Sequence, residues 1–468
     1  MIPMKNPIIL LCSVCIVSIF LFCSVFKLLQ NKTIYSHTIG LVSKNYERTG
    51  DWNSHKITKV SKPYIKVEND VYLHWDAAIY NCIKEHNYSA DESCFSKVRA
   101  AFFPLFPVLW KVTSASPIAI SVLNYLLFIT ALLLLLIRLL PNNLYVRTTT
   151  FILFATLPTN VIYMIPYSES LFMLCMTIAA IGILDNKYKL YFIGALLLAM
   201  VRPATVFVWL AIIATEGVFL CKERNVRQSL TKLILKSLPF LLGYLMVFAY
   251  QRSSSGLWTS FIDAQQYWSG GFQKLNQITD WSSEGFGMNT FAIFFVALPA
   301  LLYLSYLGVK LLSKEAAITS QITNTHTNYL EFISLFYLAG ILLFSLLTSG
   351  GNFHSLFRFI ICSPLFFIAA FIFISKIPKL NTKYISRVFA SLCVLVFMYV
   401  LTVKFGGSGF RFSFVGLLLL IATFAFLLYR RFLPVKLDLV LLSVCVLLNT
   451  VWNTYMLNMY LCNGWIFT

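Results

Sequence analysis

Charge is scarce in this sequence, and acid is scarcer than base. Only 12% of the 468 residues are Asp, Glu, Lys or Arg, against roughly 25% in a soluble globular chain. Hydrophobic residues make up 59% and the mean hydropathy is +0.76. Such a balance excludes a soluble protein and fits a polytopic one embedded in a membrane. Asp and Glu number 18 against 37 Lys and Arg, a net charge of +19. The excess does not indicate nucleic acid, because the bases are not gathered on one soluble module. Many sit in short loops between apolar runs, where they set topology.

Several motifs are also missing. No CxxC…CxxC pair and no HExxH occurs, so no zinc site is suggested. Neither GxGxxG nor GxxxxGK[ST] is present, so no loop is offered to the phosphates of a nucleotide. No metal and no other cofactor is expected. A repeat of 20–50 residues is not apparent and the two halves lack obvious symmetry, which counts against a secondary transporter. Most of the 11 Cys, such as Cys12, Cys15, Cys175, Cys393 and Cys445, lie in apolar runs and behave as small hydrophobes. Cys82 and Cys94 lie in a polar stretch and can pair if that stretch is outside the cytoplasm.

What the chain has is apolar runs. The first, 7–29, is long enough to span and follows Lys5, so it reads as a retained helix rather than a cleaved signal. Further runs follow at 117–140, 148–165, 169–184, 234–252, 290–312, 328–348, 356–375, 384–404, 411–429 and 434–455. The run 189–221 is interrupted by Arg202-Pro203. Proline removes a helical hydrogen bond and disfavours helix in the residue before it, so two short helices are expected, 189–201 and 204–221.

This predicts an all-α polytopic membrane protein of about 11–13 spans in a single domain, 1–468. With Lys5 inside, alternation places Arg138, Arg147, Lys187, Lys236, Lys376 and Arg430 in cytoplasmic loops, as the positive-inside rule demands. The rule holds only if 189–221 crosses twice. Two long outer loops remain, 30–116 with an interfacial or re-entrant segment in it, and 253–289. Trp258 and Trp281 in the second fit an interfacial aromatic belt.

Ionisable residues at membrane depth are costly and usually functional. Five places stand out, all on the outer side of this topology. His74-Trp75-Asp76, with Tyr80, offers a carboxylate able to accept a hydroxyl proton; the plainer reading is an Asp capping a helix that starts at Ala77. Arg99 opens a Pro-broken aromatic segment containing Phe102, Phe103, Pro104 and Phe106. There the phenylalanines would face lipid and Arg99 would meet a lipid phosphate. Tyr167 and Glu169 occupy a tight turn at a helix start, where an acid also suits the positive dipole end. Arg202, at the helix break, needs an anion, either phosphate or a structural partner in Glu169 or Asp76. His354 and Arg358, four residues apart, share a helix face and form a second cationic patch.

At these residues the chain resembles a known family. WDAAIY, then AFFPLFP, PYSESLF, the Arg-Pro break and HSLFRF are similar to the motifs of the PIG-V mannosyltransferases, from about residue 72 to 366. The resemblance implies the GT-C fold, a helical bundle with its active site on the outer face. It implies inverting transfer of mannose from a polyprenyl-phosphate-mannose donor (dolichyl or undecaprenyl) to a lipid-linked or glycan acceptor, without a nucleotide sugar. Asp76 falls where the family has its proposed base. Tyr167, Glu169, Arg202 and Arg358 match further family positions and would hold donor phosphate or sugar. His74, Trp75, Tyr80, Arg99, Phe103, Pro104 and His354 complete the expected binding set. The stretch before the WD pair is longer than the family's, and Asn87-Tyr88 stands where a Gly-Tyr pair often follows. A flippase for lipid-linked oligosaccharide is the alternative. The sequons at Asn31 and Asn87 would suit the endoplasmic reticulum, but the compact WDAAIY–FFPLFP block and the lack of a retention signal favour a bacterial inner membrane.

Overall fold

The computed structural model describes residues 46–49, 58–61, 67–89, 94–95, 98–223, 226–267, 286–312, 325–349, 355–377, 381–402, 410–461, 463 and 466, with single helical positions at 12, 15, 16, 19, 20 and 23. The expected first span, 7–29, therefore lies outside the described residues except at those positions. The described chain is helical apart from a short antiparallel ribbon, β1 (Tyr46–Thr49) with β2 (Thr58–Ser61), in register Tyr46 to Ser61.

The continuously described helices begin with α1 (Asp76–His86) and α2 (Leu105–Thr113), which stand ahead of the first long one among them. Then come α3 (Pro117–Leu139), α4 (Leu144–Ala155), α5 (Glu169–Leu184), α6 (Tyr188–Ala199), α7 (Thr205–Glu223) and α8 (Val226–Ser255). After α9 (Ser260–Gln265), α10 (Phe286–Phe291) runs through a π-helical turn, Ala292–Ala297, into α11 (Leu298–Leu312). The chain closes with α12 (His326–Ser349), α13 (Leu356–Ile360), α14 (Pro364–Lys376), α15 (Thr382–Thr402), α16 (Phe410–Tyr429) and α17 (Val435–Leu461). Seven described helices are long and apolar enough to cross a membrane, and five shorter apolar ones accompany them. That is the composition of a multi-pass membrane protein.

Local chemistry accounts for the boundaries. Ser116 caps α3, its Oγ accepting from Ala119 N at 3.2 Å, and Pro117 occupies the first helical position, where its missing N–H costs nothing. Ser363 and Pro364 repeat the device at the start of α14. The break at Arg202-Pro203 is present, with α6 ending at Ala199 and α7 starting at Thr205.

Two expected spans are interrupted. The run 148–165 ends as helix at Ala155; Pro158 breaks it, and a 3₁₀ turn, Asn160–Met164, follows. The run 356–375 is split at Pro364 into α13 and α14. By contrast α8 carries Pro239 without a break and begins at Val226 rather than near 234.

The short helices pack closely. At Gly194 of α6 a Cβ would collide with the Ala179 backbone of α5, and at Gly243 of α8 it would lie 2.6 Å from Ala199 Cβ. Small residues that let backbones approach are a common basis for helix association in lipid. The basic loops gather at one end of the bundle. Arg138 and Lys187 both reach Asp185, at 3.0 and 3.6 Å, and Arg431 donates to Ile377 O at 2.8 Å.

Candidate active site

At the other end, four chain segments bring two acids and two arginines together. Arg202 Nη1 lies 2.6 Å from Glu169 Oε1. Arg358 Nε donates to the same oxygen, and Arg358 Nη1 lies 2.6 Å from Asp76 Oδ2. Arg358 thus bridges both acids, and the four formal charges cancel. All four residues are buried, Glu169 completely. Such a cluster survives in a low dielectric only because each charge has a partner.

Each member is held by local backbone structure. Glu169 is the first residue of α5, at the positive end of that helix. Arg202 sits at the α6–α7 break. Its carbonyl accepts from Thr205 N at 3.2 Å and Thr205 Oγ1 at 2.7 Å, and the nearby Met200 carbonyl accepts from Leu105 N at 3.2 Å. This last bond joins the FFPLFP segment to that break. Asp76 opens α1, directly after Trp75, whose φ of 54° and ψ of −126° are unusual for a bulky residue. Ser355, before the helix that carries Arg358, is also left-handed, with φ 59°. Strained backbone of this kind costs of order 1–3 kcal/mol and persists only where surroundings hold it.

Aromatic rings line the cluster. Arg358 lies over the Tyr167 ring at 4.8 Å and Arg202 over Phe359 at 5.2 Å. Tyr460, at the end of α17, packs edge-on against Tyr167 and His74, and its hydroxyl points at the carbonyls of Tyr72 and His74, 2.9 and 3.1 Å away. His74 Nε2 is 3.3 Å from Leu461 O. The Tyr80 hydroxyl is 2.7 Å from Ser168 Oγ. Burial pushes the Tyr80 and Tyr167 phenols up, so both remain protonated.

Residues that sequence reasoning passed over shape the site. Asn124 donates to the carbonyls of Ile165 and Tyr167, at 2.7 and 2.8 Å, fixing the turn before Glu169. Asn289 Oδ1 accepts from Phe357 N at 2.8 Å, while Tyr337 and Tyr163 donate to the carbonyls of Phe359 and Cys362. These bonds hold the short helix bearing Arg358. Asn453 donates to Thr156 O and Leu157 O and accepts from Val161 N, satisfying backbone that Pro158 leaves outside a helix. Irregular backbone at membrane depth requires such partners. A lone Asn inside an apolar run was the available signal.

The structure also revises expectations. Asp76 is not a surface cap: it is buried against Arg358 and is itself the first helical residue. Phe103 and Phe106 do not face lipid. Both are fully buried, Phe103 against Phe261 and Tyr244, Phe106 against Tyr80 and Trp110. Arg99 is 1% exposed, with Nη1 3.9 Å from Cys82 Sγ, so it is not presented to a lipid surface. The reason is packing. Gln251 of α8 donates to Ala100 O and Tyr88 donates to Phe102 O, folding the segment inward. Pro104 is buried immediately before α2. Cys82 and Cys94 form a disulfide. Asn87 of the second sequon accepts from Tyr250 at 3.1 Å. Trp258 is half-exposed with Arg252 stacked on it, as an interfacial position allows. His354 and Trp281 lie outside the described residues.

Buried acids are not confined to this end. Glu216 pairs with Lys236 at 2.6 Å and accepts from Tyr329 at 2.8 Å; Asp438 pairs with Arg430 at 3.1 Å. Along α7 Glu216 is roughly 20 Å from the Arg202 break, at the opposite end. Among the described residues no three His, Cys, Asp or Glu side chains group as a metal site. Comparison with family models, curated proteins and solved structures finds no match.

Proposed function

We propose that the protein is a membrane glycosyltransferase of the GT-C type, similar to the PIG-V mannosyltransferases. It moves mannose from a polyprenyl-phosphate-mannose donor to a lipid-linked or glycan acceptor. The observation that carries this reading is the convergence of Asp76, Glu169, Arg202 and Arg358, each from a different part of the chain, at one end of an apolar bundle. Asp76 beside one guanidinium, with Glu169 holding that one and a second, suits the reaction. The acceptor hydroxyl attacks the anomeric carbon, Asp76 takes its proton, and the bond to phosphate breaks. The departing polyprenyl phosphate carries away the electron pair, and arginine stabilises its charge. Guanidinium is well matched to phosphate because it presents a planar fork of donors.

The disulfide supports placing this end on a non-cytoplasmic face, since such bonds persist in oxidising compartments. A bacterial inner membrane is favoured over the endoplasmic reticulum. Asn87 is engaged by Tyr250 and followed by the fully buried Tyr88, which makes it a poor glycan acceptor.

The second reading is a flippase for lipid-linked oligosaccharide. The buried pairs Glu216–Lys236 and Asp438–Arg430 favour it, because a transporter uses ionisable groups at both ends of the bundle. Protein reconstituted in sealed vesicles with radiolabelled polyprenyl-phosphate-mannose separates the two. The enzyme reading expects label to pass to an acceptor. Label that remains on polyprenyl phosphate while crossing the bilayer contradicts it and supports the transporter.

A further inference from the structure

In the four-charge cluster each charge faces an opposite one, and its members differ in how firmly they are held. Glu169 is fully buried at the start of a packed helix and bears on both arginines, so it has no route out. Arg202 is fixed at the helix break and bonded to Glu169. Asp76 is the peripheral member. Its side chain retains 11% exposure, the largest of the four, and it belongs to an 11-residue helix that stands ahead of α3. Its entry residue, Trp75, sits in a strained backbone conformation that the surrounding contacts must hold. One contact, Arg358 Nη1 to Asp76 Oδ2 at 2.6 Å, ties it in. While that pair persists the guanidinium occupies Oδ2, leaving the carboxylate fewer lone pairs to offer a hydroxyl proton.

We infer that Asp76 occupies, in this arrangement, the place on Arg358 that a phosphate ester of a polyprenol takes when it binds. The incoming phosphate displaces the carboxylate from Arg358 and thereby frees it, so donor binding precedes and enables proton acceptance. The inference rests on the glycosyltransferase reading and adds the order of events and the residue that receives the phosphate. Arg358 is suited to the exchange because Glu169 keeps its Nε anchored while Nη1 changes partner. Glu169 also retains an oxygen, Oε2, that is buried without a hydrogen-bond partner among the described residues, leaving an acceptor for a hydroxyl group of the incoming sugar. A ligand whose competent state is only partly populated binds with affinity reduced by that fraction.

Binding of undecaprenyl phosphate to purified protein in nanodiscs tests this without turnover. Undecaprenol serves as the uncharged control and inorganic phosphate reads the headgroup alone. If the released arrangement is populated at about a tenth, Asp76→Asn binds undecaprenyl phosphate on the order of tenfold more tightly than wild type. Inorganic phosphate gains by a similar factor and undecaprenol by none. Asp76→Ala behaves in the same way. Wild type that binds, with both variants binding equally or more weakly, overturns the inference and leaves the proposed function standing. Wild type that discriminates nothing between the phosphate and the alcohol overturns both. Should neither variant fold, carbodiimide labelling of wild-type Asp76 gives the answer: undecaprenyl phosphate accelerates it if the carboxylate is released. Unchanged or slower labelling contradicts release.

Discussion

Arg358 Nη1 stands 2.6 Å from Asp76 Oδ2, joining α1 to a five-residue helix deep in the second half of the chain. Through Glu169 the contact extends to Arg202 and the break between α6 and α7. What each pair contributes is best measured by removing partners.

Glu169→Gln leaves two buried arginines short of their shared anion. Breaking a buried pair from one side costs about 3–5 kcal/mol. The double change Glu169→Gln with Arg202→Met should cost clearly less than the sum of the single changes, because the stranded charge goes with its partner. Thermal unfolding in detergent reads both. Single variants within about 1 kcal/mol of wild type would mean that the pair is solvated rather than buried.

Asn453→Ala tests the polar support of the broken helix. It strips partners from Thr156 O, Leu157 O and Val161 N at once. Unsatisfied buried groups of this kind cost about 1–3 kcal/mol. The loss should appear in stability, with the remaining folded protein still binding donor. A variant as stable as wild type would show that water or a neighbouring side chain takes over.

How much of this was legible beforehand depends on the residue. The Arg202-Pro203 break was readable because proline dictates backbone whatever surrounds it. Pro158 and Pro364 carry the same message, but the hydropathy of their flanks hid it. That Asp76, Glu169, Arg202 and Arg358 share one end followed from counting crossings; that Arg358 touches both acids did not, since pairing depends on how α13 is turned. Arg99 was misplaced for a different reason. An arginine before a Pro-rich aromatic segment looks the same whether the segment lies on a membrane surface or is folded under by Gln251 and Tyr88. Asn124, Asn289 and Asn453 carry no charge to mark them in an apolar run, although a neutral amide suffices where backbone is what needs a partner.

Alkaline pH should weaken the fold. Burial pushes the Tyr72 phenol up to about 12, against about 10 in the unfolded chain. A raised value favours the neutral form in the folded state, so this contribution is complete below about pH 10 and is lost as pH climbs towards 12. Its size is on the order of 3 kcal/mol. Unfolding midpoints followed from pH 8 to 12 should fall above pH 10, and Tyr72→Phe should flatten the decline. A midpoint indifferent to the substitution across that range would show that Tyr72 is hydrated.

Asp76 is proposed to accept the proton in a sugar transfer from a lipid phosphate. The most direct test is the rate of mannosyl transfer by purified wild type and Asp76→Asn from the same labelled donor, at matched folding and matched donor occupancy. The account predicts a loss of about 10²–10⁴-fold in the variant with donor binding retained. Transfer by Asp76→Asn at close to the wild-type rate would contradict it.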